Sequence, residues 1–178
     1  MDTNHSEGTL DRFFSGLTEQ TFQSRLGVAD PPLVDYISRL LARFLHSDQI
    51  YKLRRPDGRR LTGVAEMLLE AETRVGAPKR EVHRHIGDFT LFWTGLFPEA
   101  LSGQRRQMRL DALLDYRQQG KRAYFIASTL PADDNPAEND VLERLSHEFD
   151  LCCYGLNELR KEWEQREGGE GERPVILG

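Results

Sequence analysis

The sequence predicts an all-α fold, a single-domain bundle of six to eight helices with one small β-hairpin admitted at residues 50–61. Three observations carry this expectation. Apolar residues recur at spacings of three and four through most of the chain, Pro31 and Pro78 stand where helices open, and only one stretch combines turn chemistry with flanking strand-like residues. A length of 178 residues suits one domain with one sizeable core. Residues 1–8 are expected to be disordered, 9–167 to form the helical domain, and 168–178, with the run GGEGE, to be a flexible tail.

In chain order, Thr9 is positioned to cap a short helix carrying Leu10, Phe13, Phe14 and Leu17, and Thr18 to cap a second that stops at Gly27. Asp30 followed by Pro31 opens a clearer helix, with Leu33, Val34, Ile37, Leu40, Leu41, Phe44 and Leu45 on one face and its end near Ser47. Pro56-Asp57-Gly58, between Tyr51, Leu53 and Leu61, is the turn that suggests the hairpin; without strands the segment is a basic loop. A helix from about Thr62 to Val75 follows.

The organising stretch runs from Lys79 to Glu99, opened by Pro78 and closed before Pro98. Val82, Ile86, Phe89, Phe92, Trp93, Leu96 and Phe97 fall on one arc roughly 140° wide. Leu91 points almost opposite, so this helix is expected to touch neighbours on more than one side. Beyond it the spacing predicts a helix over about Gln104–Gln119 with Gly120 as its break, a further piece in KRAYFIASTL, a loop at PADDNP, and one long helix over Ala137–Arg166, about 45 Å in length.

Charge is unevenly distributed about the net −5. Between Ile50 and Arg60, Lys52, Arg54, Arg55, Arg59 and Arg60 stand against Asp57 alone; between Ser102 and Arg122 six cations, including Arg105, Arg106 and Arg109, stand against two acids. Ala132–Glu172 carries thirteen acids and four cations, so the acidic end is positioned to pair with the basic middle. No apolar run approaches the roughly 20 residues of a membrane span. The polar start MDTNHSEGTLDR lacks a signal-peptide pattern, and the adjacent Cys152 and Cys153 suit reduced thiols packed as small hydrophobes, so a cytoplasmic protein is expected.

Motifs for chemistry are sparse. There is no CxxC, GxSxG or phosphate-binding glycine loop, and Glu143 with His147, or Glu66 with Glu70, face outward rather than into a metal-binding core. His46 also faces outward, and His83 is expected at the surface. His85 lies within the apolar arc with Glu81 and Asp88 a turn to either side, the setting of an oriented imidazole that serves as a haem or metal ligand or as a general base. The leading expectation is a non-enzymatic interaction or scaffold protein without a cofactor. It binds an acidic protein surface or phosphate-bearing ligand through Arg54, Arg55, Arg59 and Arg60, joined by Arg105, Arg106 and Arg109. The competing expectation is a helical small-molecule, haem or metal-binding protein, an enzyme included, that uses His85. A pI near 5.6 disfavours a dedicated nucleic-acid binder.

Overall fold

The computed structural model describes residues 3–45, 47–101, 111, 114–132 and 134–168. Arg105, Arg106 and Arg109, most of the helix expected at Gln104–Gln119, His46, and residues 169–178 of the expected tail lie outside them. The described residues are all-α: α1 (Thr3–Glu19) runs into a π-helical turn (Gln20–Arg25), followed by α2 (Pro31–Phe44), α3 (Ser47–Ile50), α4 (Val64–Glu72), α5 (Gly76–Leu96), α6 (Tyr116–Thr129), α7 (Ala137–His147) and α8 (Phe149–Glu167). None of these helices is long and apolar enough to cross a membrane.

The start departs from expectation. Helix α1 begins at Thr3, inside the stretch expected to be disordered, and does not stop for a second cap at Thr18. The Thr18 hydroxyl donates backward to the Phe14 carbonyl at 2.6 Å, so it serves the preceding turn and the chain passes straight into the π-helical turn. Gly27, at φ +67°, follows that turn as the stop. The opening of α2 is as read from the sequence: Pro31 is the first helical residue, and the Leu33 N–H donates to the Asp30 carboxylate at 3.2 Å.

Helix α5 is the centre of the bundle. Fourteen of its 21 residues are buried, and it packs against α2, α4, α6 and α8. Val82, Ile86, Phe89, Phe92 and Leu96 fill the predicted face, and Leu91, on the other side, is fully buried too. The same encirclement corrects the reading of His83, which is 3% exposed rather than a surface residue.

Two glycines set how closely α5 and α6 approach. A Cβ on Gly120 would lie 2.4 Å from the Thr90 hydroxyl and 2.5 Å from the Phe149 ring, and one on Gly87 would lie 2.6 Å from the Tyr124 ring. Gly120 is therefore not the helix break that the sequence suggests. Helix α6 runs through it without interruption, because its missing side chain is what admits α5 and Phe149.

The expected 30-residue final helix is two helices. Glu148, at φ −97° and ψ 18°, turns the chain between α7 and α8. Val141, Leu142 and Leu145 are buried where α7 packs on α6, whereas Cys153 and Leu156 are buried where α8 packs along α5, against Thr94 and Gly95. A straight rod cannot serve both neighbours, and the bend at Glu148 redirects the apolar stripe from one to the other.

Between α3 and α4 the basic connection forms a turn closed by one antiparallel bridge, Arg54 to Arg60, and among the described residues no strand pair develops. Its ends are anchored by Leu53 and Leu61, both buried, and the Leu61 N–H donates to the Leu53 carbonyl at 2.9 Å. Asp111 serves as a remote cap for α4. Its carboxylate accepts the Val64 and Ala65 N–H groups at 2.8 Å each and also accepts from the Tyr116 hydroxyl.

The two kinds of helical glycine separate under one substitution. Gly120→Ala is expected to lower stability by about 1–3 kcal/mol through overpacking. Gly16→Ala, in α1 with nothing within 4 Å of the added carbon, is expected to raise it by about 0.5–1 kcal/mol. Urea unfolding of the two variants beside the parent measures both.

Candidate functional site

Polar groups on α5 occupy a second stripe opposite the aromatic arc. Arg80, Arg84 and Asp88 follow one another at four-residue spacing, and because α5 is enclosed their side chains must find partners within the protein. Asp88, 1% exposed, accepts the Tyr36 hydroxyl from α2 and the Tyr124 hydroxyl from α6 on one oxygen, at 2.7 Å each. Its other oxygen accepts from an Arg43 terminal nitrogen at 3.1 Å. Burial, and next the Asp88 charge, push both phenols well above their ordinary pKa, so they remain neutral donors.

One turn earlier, Arg84 pairs with Glu138 of α7 at 2.9 Å and with Glu81 at 3.0 Å. Arg80 meets the other Glu138 oxygen at 2.8 Å and also donates to the Asn139 amide oxygen. Burial opposes ionisation of Glu138, but the hydrogen bonds and charges of Arg80 and Arg84 outweigh it and hold the carboxyl below its usual pKa. This chain of pairs ties α2, α5, α6 and α7 into one polar seam.

The seam borders a cleft of about 1020 Å³ between α1, α2, α5 and the start of α7. Five arginines line it, Arg12, Arg39, Arg43, Arg84 and Arg144, together with the carboxylates of Asp11, Asp35, Glu138 and Asp140. Four of those arginines have acidic partners: Arg39 with Asp35, Arg43 with Asp88, Arg84 with Glu138, and Arg144 with Asp30 at 2.7 Å.

The residues singled out from sequence lie elsewhere. Arg54, Arg59 and Arg60 are exposed on the turn before α4, and Arg55 is half-buried. Arg54 donates to the Gly58 carbonyl at 3.0 Å, Arg59 lies 3.8 Å from Asp57, and Arg55 lies 3.4 Å from Glu66. These partners of Arg54, Arg55 and Arg59 lie within the turn and on α4 rather than at the acidic end of the chain. The acidic end does meet the second basic segment as expected, Arg117 and Lys121 both pairing with Asp150, and Glu162 pairs with Arg25.

His85 is 1% exposed and does not line the cleft. Its Nε2–H donates to the Ile50 carbonyl at 2.8 Å, which fixes the proton on that nitrogen, since a carbonyl only accepts. Phe44 and Phe89 flank the ring, and Nδ1 is buried without a partner. The Asp88 carboxylate, a turn away, is engaged by the two tyrosines and Arg43. Burial lowers the imidazole pKa to about 4. Cys152 and Cys153 are buried free thiols, and burial raises the pKa of both. Among the described residues no group of three His, Cys, Asp or Glu side chains is placed to hold a metal.

Sequence reasoning passed over the cleft. Its one visible signal was the Arg80, Arg84, Asp88 and Leu91 stripe on the far side of α5, where a leucine already implied burial; the tyrosines and Arg43 come from helices whose contact with α5 no spacing reveals.

His85 makes stability depend on pH. Its folded pKa lies below the ordinary 6.5, so its contribution is fully present above about pH 6.5 and is lost as pH falls towards 4, by up to about 3 kcal/mol. His85→Gln, whose amide can keep the bond to Ile50, is expected to flatten the stability profile across that window in unfolding titrations. Asp88→Ala leaves two buried phenols and a guanidinium without their acceptor and is expected to cost about 3–5 kcal/mol, read as a lowered midpoint in urea.

No family model, curated protein or solved structure matches the chain, so its functional reading rests on its own residues.

Proposed function

We propose that the protein is a non-enzymatic, cytoplasmic interaction protein that docks an acidic partner surface on the arginine turn from Lys52 to Arg60. The observation that carries this reading is that the turn is held in shape before any partner arrives. The Arg55 N–H donates to the Arg59 carbonyl and the Gly58 N–H to the Arg55 carbonyl, both at 2.9 Å. Arg74 reaches across to the Arg54 carbonyl at 2.9 Å, and the Asp57 carboxylate accepts the Arg59 N–H at 3.0 Å.

A fixed backbone presenting exposed guanidiniums loses little conformational freedom on binding carboxylates, and guanidinium matches carboxylate geometry in two-point contact. The nearby ion pairs are weak competitors. At 3.4–3.8 Å and with both partners substantially exposed, Arg55–Glu66 and Arg59–Asp57 hold their arginines loosely. Buried, unbridged cysteines agree with a reducing compartment.

Immobilised poly-glutamate tests the reading. The parent protein is expected to be retained and to elute with rising salt, whereas Arg54→Glu, Arg59→Glu and Arg60→Glu combined should weaken retention at least tenfold with an unchanged circular dichroism spectrum. Equal retention of parent and variant rejects this surface.

A further inference from the structure

We infer that the cleft between α1, α2, α5 and α7 is a second binding site, separate from the arginine turn, that takes a small phosphate-bearing molecule. The cleft brings guanidiniums from four helices to one volume: Arg12 on α1, Arg39 and Arg43 on α2, Arg84 on α5 and Arg144 on α7. Donors arriving from several directions suit the three terminal oxygens of a tetrahedral phosphate better than a planar carboxylate, which one or two guanidiniums satisfy within its plane. The volume, about 1020 Å³, exceeds what a bare phosphate needs and leaves room for an organic body against Pro32, Ala42 and Val141.

Two features separate this lining from a solvated charged surface. Arg43 and Arg84 are set in place by the buried seam, Arg43 by Asp88 and Arg84 by Glu138 and Glu81, so their positions are fixed without a ligand. Donor capacity is also left over. Arg12 has no hydrogen-bond or ion-pair partner among the described residues. Asp11 and Asp140, carboxylates in the same lining, disfavour ligands that bring negative charge against them, which restricts the site to a small anion rather than an extended acidic chain.

Inorganic pyrophosphate is the probe, with sodium chloride at matched ionic strength and citrate as controls, using the full chain in calorimetric titration and thermal unfolding. Pyrophosphate is expected to bind and to raise the unfolding temperature above both controls. Arg12→Glu, an exposed position whose change leaves the seam intact, and Arg84→Gln should each weaken binding at least tenfold. The triple turn variant Arg54→Glu, Arg59→Glu, Arg60→Glu should bind pyrophosphate as the parent does, which separates this site from the poly-glutamate surface. Stabilisation no greater than that from salt, equal binding of citrate, unchanged binding by Arg12→Glu, or loss of binding in the turn variant would each overturn the inference. Should Arg84→Gln fail to fold, Arg12→Glu decides alone.

Discussion

The enclosure of α5 is the constraint from which most of the molecule follows. A helix enclosed along most of its length leaves few positions where a polar side chain reaches water, and Arg80, Arg84 and Asp88 are charged. Removing charges from water is expensive unless each is paired and its hydrogen-bonding capacity filled. Asp88 meets this requirement by drawing a tyrosine from each of two other helices and an arginine from α2, so that satisfying one carboxylate fixes the mutual placement of α2, α5 and α6. Apolar burial supplies the driving force for collapse, but it is indifferent to small rotations of one helix about another. The directional bonds at Asp88 are not.

The same enclosure demands close approach, and small residues provide it. Gly87 and Gly120 sit at the crossing of α5 with α6, with Gly95 facing Leu156 of α8. Packing and polarity are therefore coupled: the short distance that Gly87 allows places the Tyr124 ring against the α5 backbone and its hydroxyl on Asp88. An added methyl group there would displace the ring and, with it, one of the donors that make the buried carboxylate tolerable.

Much of the fold was legible. The Asp30-Pro31 start of α2, the aromatic arc of α5 and the second buried side marked by Leu91 all emerged from spacing and capping chemistry, which are local properties. What stayed hidden was non-local. Gly120 looked like a terminator because its missing side chain has meaning only once Thr90 and Phe149 are opposite it. The bend at Glu148 was invisible because α7 and α8 share an unbroken helical pattern and differ only in which neighbour they face. His83 looked like a margin residue until its side of α5 was seen to be covered. The arginine turn was found by counting charges along the chain, whereas the cleft was missed because its five arginines are spread from residue 12 to residue 144.

The remote cap on α4 bears on the order in which the chain acquires structure. A nine-residue helix is marginal alone, and the first two amides of this one are accepted by a carboxylate 46 and 47 positions later in the sequence. During synthesis, α4 is therefore without its acceptor until residue 111 has left the ribosome, by which time the whole of α5 has been made. The segment carrying the arginine turn is braced by Glu66 of α4 and by Arg74 just past its end, so its rigidity is a late property of the nascent protein, acquired only after the central helix is available to build on.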